Sequence, residues 1–415
     1  MQNDKHTLYQ IGKCINLRSD VDPILSEKGA DALLLFSESL HDSNMYYMTG
    51  FLAPDPFLLI KKVGNPPMLL VNSMEYQRAK QQAWAKDVHS YAEYDYFNIA
   101  KSAKDPQLAG LKFIASVLKK EVGEKPLVAV PQTFPALLFD FLRNEGLNVK
   151  PFSNLIEKAR ETKEPDEIKE ITNVQRIMEK VVSKIIDTIA NSRTEPNGAL
   201  TYKANGRKET LTSGKVKAMM GHAFLDNGIV NEDPIVACGP KSALPHYSGE
   251  ADDKFKANQP IIFDIFPQGI RKRYFTDMTR TVVKGKAPKQ IKKMFDAVQQ
   301  AHDACIDAIH AGVVGSDVYN LCCDVLEKAG YESTRGGKQT EKGFIHGLGH
   351  GVGLAVHEGP GMGELSKFPV SEHAVVTVEP GLYDPKIGGV RIEDIVEVTK
   401  KGCRNLTKMP VQLEI

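Results

Sequence analysis

Carboxylates standing inside otherwise apolar, strand-like runs constrain this chain more than any other feature. Asp264 lies in Ile261-Ile262-Phe263-Asp264-Ile265-Phe266, and Asp277 lies in Tyr274-Phe275-Thr276-Asp277-Met278-Thr279-Arg280-Thr281-Val282-Val283. The two runs flank Gly269 to Lys272 and read as a hairpin that turns there. Pairing about that centre sets Asp264 opposite Asp277, because residues equidistant from a hairpin centre are cross-strand neighbours about 5 Å apart on one face. Downstream, Val375-Val376-Thr377-Val378-Glu379-Pro380 and Val390-Arg391-Ile392-Glu393-Asp394-Ile395-Val396 flank the turn-rich stretch Tyr383 to Gly389. The same construction sets Glu379 opposite Glu393. Like charges facing each other among apolar neighbours repel, so each pair requires a shared proton, a basic partner or a metal cation. A structural salt bridge or an edge-strand charge would account for one such pair. Two in one chain point to a site.

Between the two hairpins, three of the eleven histidines fall within twelve positions, in His346-Gly347-Leu348-Gly349-His350-Gly351-Val352-Gly353-Leu354-Ala355-Val356-His357-Glu358. The glycines let backbone come close to a ligand, although a glycine-rich surface turn with solvated histidines would read the same way. The His346-x-x-x-His350 spacing is that of a zinc-protease helix, but the glutamate after the first histidine is missing and the glycines oppose a helix. A phosphate-cradling loop would need a strand before it and a helix after it. Four carboxylates and one imidazole form an oxygen-rich donor set, larger than one tetrahedral zinc uses. Two hard or borderline divalent ions such as manganese, bridged by some of the carboxylates, suit it better. Such a centre can hold a hydroxide between its ions and stabilise attack on a carbonyl, so metal-assisted hydrolysis is the expected chemistry.

Composition removes several other classes. With 53 Lys+Arg against 52 Asp+Glu there is no basic excess of the kind that phosphate-contacting nucleic-acid binders carry. The start, Met1-Gln2-Asn3-Asp4-Lys5-His6, is polar, and no apolar run approaches the roughly 18 residues of a membrane span. A cytoplasmic protein with no membrane partner is expected. Cys14, Cys238, Cys305, Cys322, Cys323 and Cys403 form no C-x-x-C pair, so they read as free thiols.

The 415 residues are enough for about two or three domains. Asp31 to Phe36, Pro56 to Ile60, Pro67 to Val71 and Pro126 to Val130 are short apolar runs alternating with helical stretches, which predicts an α/β domain. Near Glu161 to Glu167 the texture breaks. Pro165 suits a first helical position, and Ile168, Ile171, Met178, Val182, Ile185 and Ile189 continue on one face of a long helix. Ser192 to Gly214 reads as an exposed loop, and one helical stretch, from about Pro288 to Ala311, interrupts the later strands. The domains expected are 1–158, a smaller α/β domain, and 159–415.

These residues resemble the pita-bread metallopeptidases, within them the Xaa-Pro aminopeptidase and prolidase (Xaa-Pro dipeptidase) branch. The resemblance is carried by Asp264, Asp277-Met278-Thr279-Arg280-Thr281, His346-Gly347-Leu348-Gly349-His350, His357-Glu358, Thr377-Val378-Glu379-Pro380-Gly381-Leu382-Tyr383 and Val390-Arg391-Ile392-Glu393-Asp394. It spans residues 165 to 415, and Asn44 to Phe51 resembles the family's N-terminal domain. It implies an α+β pita-bread catalytic domain behind a creatinase-like N-terminal domain. It further implies two divalent ions, manganese first with cobalt or zinc as alternatives. Asp264 would be a terminal ligand of one ion, Asp277 and Glu393 would bridge, and His350 with Glu379 would complete the other. Glu379 would also shuttle the proton of a bridging hydroxide. His246 and His357 would orient the substrate, with His346 and Arg391 in support, while Tyr383 and Asp394 read as structural. The implied substrate is a peptide with proline at its second position, and the implied assembly is a homodimer. Strict dipeptide cleavage is the alternative within enzymes, and a non-catalytic binding module the alternative outside them. Methionine aminopeptidases lack the first domain and creatinase-like amidinohydrolases lose ligands, which this chain keeps. The turn between Asp264 and Asp277 is longer by two residues than the family pattern, an even insertion that keeps the strand faces in place.

Overall fold

The protein was analysed as a computed structural model that describes residues 18–103, 105–204 and 206–415. Met1 to His6 and Cys14 lie outside the described residues. The chain divides into two compact units, Met1–Arg160 and Glu161–Ile415. No helix among the described residues is long and apolar enough to cross a membrane, and the five described cysteines are free thiols.

In the first unit the four apolar runs form the strands Ala32–Ser37, Phe57–Lys62, Met68–Val71 and Val128–Pro131. They lie inside a six-stranded mixed sheet whose edges are Asp87–Ser90 and Val149–Phe152. Both edge strands are polar or interrupted by proline, so they carry no apolar run by which to be recognised, as edge positions permit. The helix Pro106–Glu121 starts where the Asp105 carboxylate accepts the Leu108 N–H at 2.9 Å, and it buries Phe113, Val117 and Leu118.

The second unit opens with the 26-residue helix Pro165–Ala190. Glu164 and Glu167 close a reciprocal cap at its start, and Ile168, Ile171, Met178, Val182, Ile185 and Ile189 are all buried, as their spacing requires. This helix and Ser213–Asp226 cover a sheet of Ile235–Cys238, Pro260–Ile265 and Met278–Val283. A second layer sets Lys289–Ala308 and Gly315–Lys328 against Val375–Val378, Asp394–Thr399 and Gly402–Asn405.

Three expectations are corrected. Ser192 to Gly214 is not an exposed loop: Arg193–Thr194, Leu200–Ala204 and Arg207–Thr210 form a small antiparallel sheet, anchored where Leu200 and Leu211 are fully buried and bonded to Phe255. Two helices, not one, stand between the strand regions. Gly315–Lys328 was hidden because Tyr319, Cys322 and Cys323 fill its buried face beside Val318 and Leu326, diluting the aliphatic period.

The first hairpin also differs in register. Asp264 faces Thr279, not Asp277, because Ile265 pairs with Met278 and Pro260 with Val283. The turn lies one residue later than expected, with Arg273 taking the left-handed conformation, φ 61°. Gly269 belongs to the ladder, its N–H donating to the Tyr274 carbonyl at 2.9 Å. A Cβ there would lie 3.3 Å from the Val174 side chain of the long helix, a tight fit that a small residue suits. The shift of two leaves Asp264 and Asp277 as diagonal neighbours on one face. The second hairpin holds its expected register: Val378 pairs with Asp394 and Gly381 with Arg391, so Glu379 stands across from Glu393.

Met178 is fully buried between the long helix and the first sheet. Met178→Ala is expected to lower unfolding stability by about 2–5 kcal/mol, read as a lower urea midpoint at unchanged m-value.

Candidate metal and catalytic centre

The two layers of the second unit meet edge to edge, and the centre lies on that seam. The Glu393 N–H donates to the Thr279 carbonyl at 3.1 Å, and the Arg391 N–H donates to Thr281 Oγ1 at 3.0 Å. Alternation along Met278–Val283 puts Thr279 on the face that carries Asp277. Its hydroxyl donates to Glu393 Oε2 at 2.8 Å and accepts the Arg391 Nε–H at 3.3 Å. Arg391 continues through Nη2 to Asp264 and through Nη1 to the Tyr383 hydroxyl at 2.6 Å.

The glycine-rich segment explains how an imidazole reaches this seam. A Cβ on Gly349 would lie 2.2 Å from the Thr377 carbonyl oxygen, and one on Gly351 would lie 2.1 Å from that of Gly359. Only glycine lets the segment dock so closely. Once docked, the His350 N–H donates to Thr377 Oγ1 at 3.0 Å, and the Thr377 N–H donates to the His350 carbonyl at 2.8 Å. Two residues on, Glu379 shares a face with Thr377, whose hydroxyl is 3.3 Å from Glu379 Oε1. His350 Nε2 consequently lies 3.3 Å from Glu379 Oε1 and 3.8 Å from Asp277 Oδ2. Its Nδ1 is 3.1 Å from the Gly351 carbonyl, which can only accept, so that nitrogen carries the proton and Nε2 is the nitrogen facing the acids.

His346 is held the same way. Nδ1 donates to the Gly347 carbonyl at 2.7 Å, and Nε2 accepts from the Tyr383 hydroxyl at 2.9 Å. Burial lowers the His346 pKa, which favours this neutral tautomer. The His357 ring stands 4.3 Å from that of His350, centroid to centroid, at 79°. Partial loss of hydration and the neighbouring His350 hold the His357 pKa down. His246 is exposed, one residue past Pro245, whose carbonyl accepts from Arg391 Nη2 at 3.4 Å. Its charge is felt at both His346 and His357.

Electrostatically the centre gathers more carboxylates than cations. Asp277 is 3% and Glu393 1% exposed. Burial, then the neighbouring carboxylates, push both carboxyl pKa values well above the usual range. Burial acts in the same direction on Glu379, but the hydrogen bond with His350 and the positive groups around it outweigh burial and bring its pKa to about 2. Burial would lower the His350 pKa, and its bond to Glu379 with the nearby acids instead raises it to about 9. Asp277 Oδ1 is buried without a hydrogen-bond partner. Ligand atoms of Asp277, His350 and Glu393 lie within 4.8 Å of one another. An orphaned buried carboxylate oxygen beside an imidazole nitrogen and further acids is the donor set a hard or borderline divalent cation fits.

All nine residues singled out in the sequence are thus linked to one centre, seven through direct contacts, His346 through the Tyr383 hydroxyl and His246 through its field. Tyr383, read as structural, joins His346 to Arg391, while Asp394 holds Arg280 at 2.8 Å in a buried ion pair, from which Arg280 also donates to the Glu393 carbonyl at 2.8 Å. Thr279 and Thr377 were not assigned roles. Their signal is the i, i+2 spacing of a hydroxyl from a carboxylate on one strand face.

Comparison with known proteins identifies the family. Residues 169–400 match the model of metallopeptidase family M24, and residues 18–162 match that of the creatinase/prolidase N-terminal domain. The chain is a metallopeptidase with a pita-bread catalytic domain behind a creatinase-type N-terminal domain. It belongs to family M24. An Xaa-Pro dipeptidase from Pyrococcus horikoshii is 28% identical over 393 residues, which is 94% of this chain and 96% of that one. The solved structure of an Xaa-Pro dipeptidase from Bacillus anthracis has a TM-score of 0.77 at 25% identity and covers 96% of this chain and 100% of its own. An X-Pro aminopeptidase from Thermotoga maritima shares the fold, with a TM-score of 0.74 at 24% identity over 95% of this chain and 100% of that one.

Gly349→Ala forces the His350 segment off Thr377 and is expected to weaken manganese binding about 10- to 100-fold, measured by competition with a fluorescent chelator. Gly347→Ala is the control, since its Cβ meets only the Gly363 Cα at 3.8 Å.

Proposed function

We propose that this metallopeptidase hydrolyses the peptide bond between an N-terminal residue and proline, acting as an Xaa-Pro aminopeptidase on peptides with proline second. The observation that carries the reading is the single constellation of Asp264, Asp277, His350, Glu379 and Glu393 with Arg391 and three further histidines around it. Two divalent ions, manganese in the first instance, would be held by Asp264 on one side and by His350 and Glu379 on the other, with Asp277 and Glu393 shared. When bound, the ions supply Lewis acidity and lower the pKa of water at the site.

The chain's own residues do the rest. Thr377 and His350 both engage Glu379 Oε1, which fixes the carboxylate in orientation. Glu379 is the group proposed to take a proton from the attacking water and return it to the departing proline nitrogen. His246 and His357 donate hydrogen bonds to the substrate carbonyl as negative charge builds there. Arg391 and Tyr383 hold Asp264 and His346 at fixed positions around the reacting bond.

The second reading, strict dipeptide cleavage, draws on the likeness to the Xaa-Pro dipeptidases from Pyrococcus horikoshii and Bacillus anthracis. A dipeptidase needs a cation for the proline carboxylate. Arg391 is committed to Asp264, and Lys163 to Glu358 at 2.8 Å, so neither offers its charge to a substrate. These two cations lend the dipeptide reading no support.

Three outcomes follow. Purified protein should bind about two divalent ions per chain, counted by inductively coupled plasma mass spectrometry. The manganese-loaded enzyme should release the first residue from an X-Pro-Y tripeptide faster than from the X-Pro dipeptide, and the reverse ranking favours the prolidase reading. Glu379→Gln should cut kcat by about 10²- to 10⁴-fold while far-UV circular dichroism stays unchanged.

A further inference from the structure

One buried charge pair lies beside the centre without belonging to its donor set. Lys163 Nζ meets Glu358 Oε1 at 2.8 Å, and the two side chains are only 2% and 4% exposed. Desolvation cancels much of the attraction in such a pair, so stability alone is a poor reason for it. Its position supplies another. Glu358 directly follows His357, and its backbone exchanges two hydrogen bonds with Gly351, at 2.9 and 3.0 Å. The loop so closed begins one residue after His350 and ends one residue after His357. Inside it, Glu358 Oε2 accepts the Ala355 N–H at 3.2 Å. A Cβ on Gly353 would lie 2.2 Å from Glu358 Oε1, so the loop gives up a side chain to seat this carboxylate. Lys163 is anchored from its own backbone, its N–H donating to the His373 carbonyl at 3.0 Å.

We propose that Lys163 is a positioning residue for the reaction: by pinning Glu358 it fixes the Gly351–Glu358 loop, and with it the placement of the His357 ring against His350 and the substrate. The proposal rests on the reading of His357 as a hydrogen-bond donor to the substrate carbonyl. Without Lys163 the buried Glu358 carboxylate loses the cation 2.8 Å from its Oε1, and a shift of that carboxylate moves the loop whose Ala355 N–H it accepts. A shift of about 1 Å in a substrate-orienting group costs on the order of 100-fold in rate.

The test compares Lys163→Met and Glu358→Gln with wild type as full-length, manganese-loaded protein. Each variant is expected to lose kcat on an X-Pro-Y peptide by on the order of 10- to 100-fold, with KM within about threefold and the bound-ion count unchanged. In zinc-loaded, diamagnetic protein carrying ¹³C-labelled histidine, the His357 ring resonance, assigned by its loss in His357→Gln, should move in both variants. Wild-type kcat in either folded variant, an unmoved His357 resonance, or a loss of activity that tracks a loss of ions overturns the proposal. Glu358→Gln keeps the shape and the acceptor for Ala355, so it decides the matter if Lys163→Met does not fold. If the wild-type protein turns over no proline peptide, the substrate reading fails and the His357 resonance alone decides the positioning role.

Discussion

Mutual repulsion among Asp264, Asp277, Glu379 and Glu393 is the constraint around which the second unit is arranged. The four acids stand at the seam of two sheets, and the Arg391 guanidinium is bonded to the carboxylate of one of them, Asp264. Asp277 and Glu393 have carboxyl pKa values raised by burial and by their neighbours. A carboxyl whose folded pKa exceeds its unfolded value of about 4 stabilises the fold while protonated, below that value, and opposes it as pH rises past it. At neutral pH these two groups weigh against the folded state, and a bound cation reverses the balance. The arrangement is thus a poor structural ion-pair network and a good cation site.

Holding the acids in place requires a rigid frame, and hydroxyls and glycines provide it. Thr279 and Thr281 stitch the first sheet to Glu393 and Arg391, while Thr377 aligns His350 with Glu379. Gly349 and Gly351 permit backbone approaches that a side chain would block. The long helix and the paired helices close the two cores behind these strands. The chemistry depends on the seam, and the seam depends on close packing either side of it.

Much of this was legible in the sequence, for physical reasons that differ by element. The long helix is periodic and capped, so its extent could be read directly. The acids were conspicuous because they interrupt apolar strands, and the Glu379–Glu393 register followed from hairpin symmetry. The same symmetry sets Asp264 against Asp277 instead of Thr279, because Gly269 reads as a turn glycine while the ladder continues through it to Tyr274. The Leu200–Ala204 hairpin and the Gly315–Lys328 helix escaped because their buried faces use few aliphatic residues. Tyr383 escaped for another reason: its hydroxyl acts across 37 residues to His346, and no local pattern records a contact of that range.

The central claim is that these carboxylates are completed by divalent cations. The most direct measurement is the thermal midpoint of chelator-treated protein, with and without added manganese, for wild type and Asp277→Asn. Binding to the folded state alone raises stability by RT ln(1 + [L]/Kd), about 2.7 kcal/mol at a hundredfold excess over Kd. A midpoint several degrees higher with manganese in wild type, mostly lost in Asp277→Asn, is the predicted result. An unchanged wild-type midpoint at millimolar manganese, or an equal rise in both proteins, would contradict it.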